Sequence, residues 1–227
     1  MALSLHLFFY PDLNEMKLEI FTVGPFAENT YLLLNRDEAI LIDPGFTNRS
    51  EMAAMEKALG NFKLIGVLLT HAHVDHVLGL NQVLQKYEVP VYLNHSDLYL
   101  WNNFESQSAM FGIRAGGFSF IPEHLGEQER FQIGLFSMDV LYTPGHSPDH
   151  VSLYFPEDGF VIAGDALFRE NIGRTDLYKG DFDVLSRSIR DKLYRLPDDT
   201  KVYPGHGPST TIGYEKKNNG FVKSVED

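Results

Sequence analysis

The chain has 227 residues, of which 44% are hydrophobic and 22% charged, a composition typical of a globular protein with enough apolar material for one or two packed domains. Its formal net charge of −12 gives no basic footprint for a nucleic-acid partner. It contains no cysteine, which excludes disulfides, thiolate metal sites and a cysteine nucleophile, and we expect a cytoplasmic location. No segment approaches the roughly 18 apolar residues of a membrane span, so we expect no membrane partner.

A regular strand pattern begins at Met16. We therefore expect residues 1–15 to be an extension and residues 16–227 to form a single domain. Short apolar segments bounded by turn residues predict strands at 16–23, 30–35 and 38–43, and a fully apolar one at 64–69 that is buried on both faces. Helix formers predict helices at 49–59 and 77–87, followed by a strand at 89–93.

The segment 97–121 contains six of the aromatic residues among glycines and polar residues. Two interpretations are open for it, a contribution to the core or a lid over a site. Strands are predicted again at 137–142, 151–155, 159–163 and 201–203, and a helix at 181–195 begins with Asp181 as its cap. A short helix ends the chain. Strands followed by a helix in each half favour two packed sheets with helices outside them.

Four strong metal donors follow the apolar strand at 64–69, namely His71, His73, Asp75 and His76. Extended or tight-turn geometry would project His71 and His73 to one side and leave Asp75 and His76 able to reach another. That layout suits two adjacent metal ions better than one. Three later donors share one context, a glycine-containing turn after a strand: His146, Asp165 and His206.

This set resembles the pattern of the metallo-β-lactamase superfamily, and within it the short bacterial glyoxalase-II-like hydrolases. The resemblance covers roughly residues 16–222. Further matching stretches are Asp43-Pro44-Gly45, Gly164-Asp165-Ala166-Leu167-Phe168, Gly173-Arg174-Thr175-Asp176 and Gly205-His206-Gly207-Pro208-Ser209-Thr210-Thr211.

The resemblance implies an αββα sandwich, an α/β fold of two mixed sheets with helices outside and the metals at one edge. By analogy one metal is held by His71, His73 and His146, the other by Asp75, His76 and His206, and Asp165 bridges both. Zinc is the expected metal, with iron or manganese as alternatives. Two divalent ions that share a water lower its pKa from about 15.7 towards 7, so a bridging hydroxide can attack an acyl carbon. Asp75 could also orient this nucleophile or take its proton.

Other residues admit two interpretations each. Asp43 is either a carboxylate that orients a ligand imidazole or an ordinary turn residue. Arg174 either contacts a substrate carboxylate, as a basic residue does in glyoxalase-II enzymes, or pairs with Asp176. We expect His150 to have a structural or orienting role rather than to bind metal. His6, His95 and His124 are expected to be ordinary surface or packing residues.

The leading functional hypothesis is a dimetal hydrolase acting on a small molecule, S-lactoylglutathione or a related acyl thioester. The chain ends soon after His206, where full-length glyoxalase-II enzymes continue into a helical region that completes the glutathione site. Val77-Leu78 also follows His76 where those enzymes have Gly-Gly. The alternatives are a lactonase with the same metal site and a mono-iron persulfide dioxygenase, against which the presence of His206 argues. A ribonuclease or a non-catalytic metal-binding protein is disfavoured by the acidic balance and by the full donor set, respectively.

Overall fold

The structure is a computed structural model that describes residues 16–223, so the predicted extension at residues 1–15 lies outside the described residues. The first half of the chain contains β1 (Lys17–Val23), β2 (Glu28–Asn35), β3 (Glu38–Ile42), α1 (Arg49–Leu59), β4 (Lys63–Leu68), α2 (Val74–Val77), α3 (Leu80–Leu84), β5 (Val91–Leu93), α4 (Tyr99–Asn102) and α5 (Phe104–Met110). The second half contains β6 (Glu123–His124), β7 (Gln128–Ile133), β8 (Phe136–Tyr142), β9 (Val151–Phe155), β10 (Phe160–Gly164), β11 (Leu167–Phe168), β12 (Asn171–Ile172), α6 (Phe182–Asp191), a 3-10 turn (Leu193–Arg195), β13 (Lys201–Pro204), β14 (Thr210–Thr211) and α7 (Ile212–Asn218).

The strands form two mixed sheets and a small hairpin. The first sheet has the order β1-β2-β3-β4-β5-β6, and the second has the order β14-β13-β10-β9-β8-β7, while β11 pairs only with β12. In the first sheet β3, β4, β5 and β6 run parallel, whereas β1, β2 and β3 are antiparallel. In the second sheet β10 and β13 are parallel and the other pairs are antiparallel.

Three apolar clusters separate four layers. Because successive side chains of a strand point to opposite faces, neighbouring residues belong to different clusters. In β2, Leu32 packs with the helices α1 to α5 while Leu33 packs between the sheets. In β10, Ile162 packs between the sheets while Val161 packs with α6 and α7. The order is therefore helices, sheet, sheet, helices, and the predicted αββα sandwich is confirmed.

The topology brings several strand ends to one edge. Strands β3 and β4 are parallel, so their carboxyl ends meet there. Strands β8 and β10 both run antiparallel to β9, and β13 is parallel to β10, so the turns after all three open at the corresponding edge of the second sheet. Backbone hydrogen bonds join the two edges, from the Val151 N–H to the Thr70 carbonyl at 2.8 Å and from the Asn29 N–H to the Gly205 carbonyl at 2.7 Å.

The prediction of one helix over 77–87 is wrong. The structure has α2, which already includes Asp75 and His76, and a separate α3. The interruption lies at Gly79, whose N–H donates to the Pro44 carbonyl at 2.8 Å. A Cβ at Gly79 would lie 2.8 Å from the Phe46 backbone nitrogen, so the chain can approach the 44–46 segment only with glycine here.

Two further differences concern the second half of the chain. The predicted helix 181–195 ends as α6 at Asp191 and continues as the 3-10 turn, although Asp181 does cap it by accepting from the Val184 N–H at 2.9 Å. The strands β6, β11, β12 and β14 were not predicted, because pairs of two residues carry no periodicity that a sequence could show. Strand β7 was not predicted either, and its sequence Gln-Glu-Arg-Phe-Gln-Ile is mostly polar and exposed. In the described part of the chain, no helix is long and apolar enough to cross a membrane.

Candidate metal centre

The structure brings all seven predicted donors together at the shared edge of the two sheets. Their ligand atoms form overlapping groups, each with its atoms within 4.8 Å of one another: His71, His73 and His146; His71, His76 and Asp165; and Asp75, His76 and His206. The first and third groups are the two metal sets that the resemblance implies. Asp165 lies between them, because its Oδ1 is 3.4 Å from His76 Nε2 and its Oδ2 is 3.4 Å from His146 Nε2 and 3.5 Å from His206 Nε2.

Hydrogen bonds behind His71 and His76 determine which ring nitrogen faces the centre. The Thr70 hydroxyl donates to Asp43 Oδ2 at 2.6 Å, so at 3.0 Å from His71 Nδ1 its oxygen accepts the proton of that nitrogen. His76 Nδ1 donates to the same Asp43 oxygen at 3.0 Å. Both imidazoles therefore carry a proton on Nδ1, which leaves Nε2, the nitrogen that faces the centre, as the one to bind a metal.

His146 and His206 are held in the same tautomer by backbone carbonyls. His146 Nδ1 donates to the Arg174 carbonyl at 2.7 Å, and His206 Nδ1 donates to the Phe26 carbonyl at 3.1 Å. The Nε2 lone pair of His146 faces His73 Nδ1 at 2.8 Å. Backbone partners are insensitive to the chemistry of the site, so they orient these two rings whether or not a metal is bound.

The turn at Gly205 allows Asp165 to sit at the middle of the group. A Cβ at Gly205 would lie 2.1 Å from Asp165 Oδ1 and 2.8 Å from His76 Cε1, so only glycine leaves room for this carboxylate. On the other side of the centre, Asp75 Oδ2 lies 3.2 Å from His206 Nε2.

The electrostatics divide the histidines into two kinds. Burial is the main cause that lowers the pKa of His71 and His146, and it lowers the pKa of His73 to about 3, so these rings are neutral at pH 7. Burial also acts to lower the pKa of His76, but the neighbouring carboxylates, Asp165 first, outweigh it and raise that pKa well above its ordinary value. This side of the site therefore demands a positive charge.

Several buried atoms of the centre have no hydrogen-bond partner within the described chain: His71 Nε2, His73 Nε2, His76 Nε2 and Asp165 Oδ1. A buried polar atom without a partner costs about 1–3 kcal/mol, and four of them in one place require an explanation. A metal ion supplies it, because imidazole nitrogens and carboxylate oxygens are the donors that zinc, iron and manganese accept. The residues present therefore fit a pair of divalent ions.

One side of this centre opens into a cavity of about 690 Å³. His73, Asp75, His146, Asp165 and His206 border it, whereas His71 and His76 lie behind them and are fully buried. The aromatic segment 97–121 divides between the core and the wall of this cavity, and a role as a lid stays a prediction. Trp101 and Phe104 are buried in the core, while Tyr99 and Phe111 line the cavity.

Asp43, Arg174 and His150 lie around the donors, and their contacts bear on their predicted roles. Asp43 is buried and contacts His76, the arrangement expected of an orienting carboxylate. Arg174 lines the cavity and also pairs with Asp176, so its two interpretations coexist and contact with a substrate stays a prediction. His150 uses both ring nitrogens, one with the Thr143 hydroxyl at 2.9 Å and one accepting from the Asp165 N–H at 3.0 Å, which agrees with a structural role.

The remaining histidines lie away from the centre. The rings of His95 and His124 contact each other with centroids 4.9 Å apart, and the His95 N–H donates to His124 Nδ1 at 3.1 Å. His6 lies outside the described residues.

Sequence reasoning missed three buried polar residues around the donors. Glu28 is 1% exposed, and its Oε1 lies 3.9 Å from His76 Nδ1. The Asn29 amide donates to the carbonyls of Pro204 and Gly207 at 3.0 and 2.9 Å, and so it braces the turn that carries His206. Asp149 accepts from the Ala72 N–H at 3.0 Å. Adjacent polar residues Glu28 and Asn29 at the start of an apolar strand were the available signal.

Burial is the first cause of the pKa shifts at two of these residues. It raises the pKa of Glu28 well above its ordinary value. It also raises the pKa of Asp149 to about 7, although hydrogen bonds from Ser147 and from the Ala72 N–H act in the opposite direction.

Comparison with known proteins agrees with this geometry. A family model described as "Metallo-beta-lactamase superfamily" matches residues 23–206. The "Probable metallo-hydrolase YqgX" of Bacillus subtilis (strain 168) is 38% identical over 213 residues, which are 91% of this chain and 98% of that protein. The "Hydroxyacylglutathione hydrolase GloC" of Haemophilus influenzae is 36% identical over 213 residues, 92% of this chain and 99% of that protein.

Among solved structures, "TTHA1623 in a di-iron-bound form" superimposes with a TM-score of 0.81 and 37% identity, covering 90% of this chain and 100% of that one. The family match spans well over half of the chain, and the predicted family and fold are confirmed. The chain belongs to the metallo-β-lactamase superfamily of metallo-hydrolases.

Proposed function

We propose that this protein is a dimetal hydrolase that cleaves an acyl thioester, S-lactoylglutathione or a related compound, to a carboxylic acid and a thiol. The observation that carries the proposal is the set of seven donors that converge at the side of a substrate-sized cavity. Similarity to the Haemophilus relative, which is named a hydroxyacylglutathione hydrolase, supports the choice of a thioester.

Each metal set is completed by donors from different strand ends. His71, His73 and His146 would hold one ion, Asp75, His76 and His206 the other, and Asp165 would contact both. Zinc is the expected metal, and the di-iron form of TTHA1623 makes iron the first alternative. When bound, two such ions supply a water nucleophile at neutral pH and polarise the substrate carbonyl.

Asp75 is the residue placed to handle a proton. It borders the cavity, and burial acts to raise its pKa, but His76 and the hydrogen bond with His206 outweigh burial, so the pKa is lowered. Asp75 is therefore an acceptor at pH 7, able to orient a water or take its proton. Asp165 is also ionised, because His76 foremost holds its pKa well below the usual range against burial.

The test is a panel assay of the purified, metal-loaded protein on S-lactoylglutathione, simple thioesters, lactones and a β-lactam, combined with metal analysis. We expect close to two metals per chain and the highest kcat/KM on a thioester. Turnover of lactones but not of thioesters would contradict the proposal, as would one iron per chain with oxygen consumption on glutathione persulfide. A cytoplasmic location stays a prediction based on the absence of cysteine.

A further inference from the structure

The cavity above the metal centre has an exposed apolar rim. Tyr99, at the start of α4, is 48% exposed, Met110, at the end of α5, is 83% exposed, and Phe111, directly after α5, is 50% exposed. All three line the cavity. We call them the apolar lip. Large apolar side chains that are exposed side by side at the mouth of a site mark a surface that an apolar group covers.

The apolar lip is held in place by the other face of its segment. Trp101 and Phe104 are buried, and the Phe118 ring stacks on both, with centroids at 4.1 and 4.7 Å. Gln107 ties α5 to the metal-binding loop through a hydrogen bond of 3.3 Å to the Ala72 carbonyl. The segment has its own buried anchor, so the exposure of its other face is a built feature rather than a failure to pack.

Aromatic residues from elsewhere in the chain extend the apolar lip into a cleft. The Phe26 ring, from the turn between β1 and β2, meets Phe111 edge to face with centroids 5.1 Å apart. On the opposite side, Tyr178 stacks on Tyr99 with centroids 4.0 Å apart. Further apolar side chains line the same cavity: Val74, Leu100, Phe168, Ile172 and Leu177.

The cations at and near the cavity already have carboxylate partners. Arg174 is the only lysine or arginine among the described residues that line it. Its Nε and Nη2 donate to both oxygens of Asp176, at 2.7 and 2.8 Å. Nearby, Lys179 donates to Asp97 at 2.7 Å. A thioester whose thiol part carries carboxylates, as glutathione does, would have to compete with these intramolecular partners.

From the apolar lip and the paired cations we infer that, among the acyl thioesters of the proposed function, the substrate class is those with an apolar tail of several carbons and with no carboxylate that needs recognition, rather than S-lactoylglutathione itself. This inference rests on the proposed function for the bond that is cleaved. Binding of the apolar tail depends only on the cleft and not on which bond is cleaved. The tail can belong to the acyl group or to the thiol, since both would extend from the same reacting carbon.

The test uses a non-hydrolysable probe, so that binding is separated from turnover. The Kd of S-alkyl-N-acetylcysteamine thioethers, methyl to octyl, is measured by calorimetry on the metal-loaded protein. We expect the Kd to fall by about two- to fourfold per methylene until the cleft is filled, as burial of each CH₂ predicts. S-alkylglutathiones with the same chains should bind no more tightly than these probes.

Two variants of similar exposure provide the control. Phe111→Ser should reduce the dependence of Kd on chain length, whereas Phe182→Ser, at an exposed phenylalanine outside the cavity, should leave it unchanged. A Kd that does not change with chain length would overturn the inference. Tighter binding of S-alkylglutathione that is lost in Arg174→Gln would overturn it as well.

Turnover then tests the proposed function separately. Acyl-N-acetylcysteamine thioesters of increasing acyl length and acetyl thioesters of alkanethiols of increasing length distinguish the two positions of the tail. A rise of kcat/KM in either series supports the inference and assigns the side. Absence of turnover in both series and on S-lactoylglutathione would refute thioester hydrolysis, while the dependence of Kd on chain length would still decide whether the cleft binds an apolar tail.

Discussion

Replacement of Asp43 by asparagine tests how far the metal centre depends on one buried carboxylate. Asp43 Oδ1 accepts from the Thr70 N–H at 2.7 Å, and Oδ2 accepts from the Thr70 hydroxyl at 2.6 Å and from His76 Nδ1 at 3.0 Å. Asparagine has the same shape, and it tolerates the positive φ of 49° that residue 43 adopts, so the backbone is preserved.

The amide leaves one oxygen where there were two. If this oxygen keeps the Thr70 backbone N–H, the amide nitrogen faces His76 Nδ1, and two N–H groups confront each other. His76 can resolve the conflict only by moving its proton to Nε2, the nitrogen that faces Asp165. If the amide is turned over, its nitrogen faces the Thr70 backbone N–H instead, and that N–H cannot become an acceptor. The first orientation is therefore favoured, and with it the move of the His76 proton to Nε2.

Loss of such an outer partner lowers metal affinity about 10- to 100-fold, or about 1.4–2.7 kcal/mol. We therefore expect one of the two metals in Asp43→Asn to bind 10–100 times more weakly by chelator competition, and to be lost on desalting. Asp198→Asn, which removes only an exposed ion pair with Lys216, is the matched control. Two metals bound with wild-type affinities in Asp43→Asn would refute the reasoning.

Three other predictions concern the bridging carboxylate, the stability contributed by the metal, and the start of α1. Asp165→Ala should lower kcat by at least about 100-fold and also lower the metal content, and near-normal values of either would contradict the central position of this carboxylate. When the free metal concentration is 1,000 times the Kd of one site, removal of that metal by a chelator should lower Tm by about 8–16 °C, as measured by calorimetry. Glu51→Gln should cost about 1 kcal/mol of unfolding free energy at pH 7, because the carboxylate accepts from the Thr47 and Gly24 N–H groups at 2.7 and 3.1 Å. Burial acts to raise the pKa of Glu51, but these hydrogen bonds outweigh burial and the pKa is lowered. The difference in unfolding free energy between Glu51→Gln and wild type, measured in urea titrations, should therefore narrow as pH falls below the ordinary value of 4.5.

Local sequence patterns were sufficient to predict the two sheets and the metal donors. The order of strands followed by a helix in each half predicted two packed sheets with helices outside. The structure agrees, since β2, β3 and β10 each bury residues in two of the apolar clusters. The strand-then-turn context of His146, Asp165 and His206 predicted that they would join the donors at 71–76. Strand order explains the success, since carboxyl ends of strands that run in the same direction meet at one edge.

Other features depend on neighbours that are distant in the chain. The break between α2 and α3 results from the approach of Gly79 to Pro44, and the sequence around Gly79 by itself favours a continuous helix. The burial of Glu28 beside His76 was likewise not predicted, because it arises where β2 of the first sheet meets the turn after β13 of the second, a contact between distant parts of the chain.

By itself the sequence determined the donor types, their spacing and the family, because metal chemistry accepts few side chains and requires them after strand ends. Only the tertiary structure decided which ring nitrogen faces the centre, since that depends on hydrogen bonds from Asp43 and from the carbonyls of Phe26 and Arg174. It also decided how the aromatic segment 97–121 divides between core and cavity. Burial is a property of the packed molecule. Aromatic side chains in similar local sequence become core or cavity residues according to which other parts of the chain pack against them.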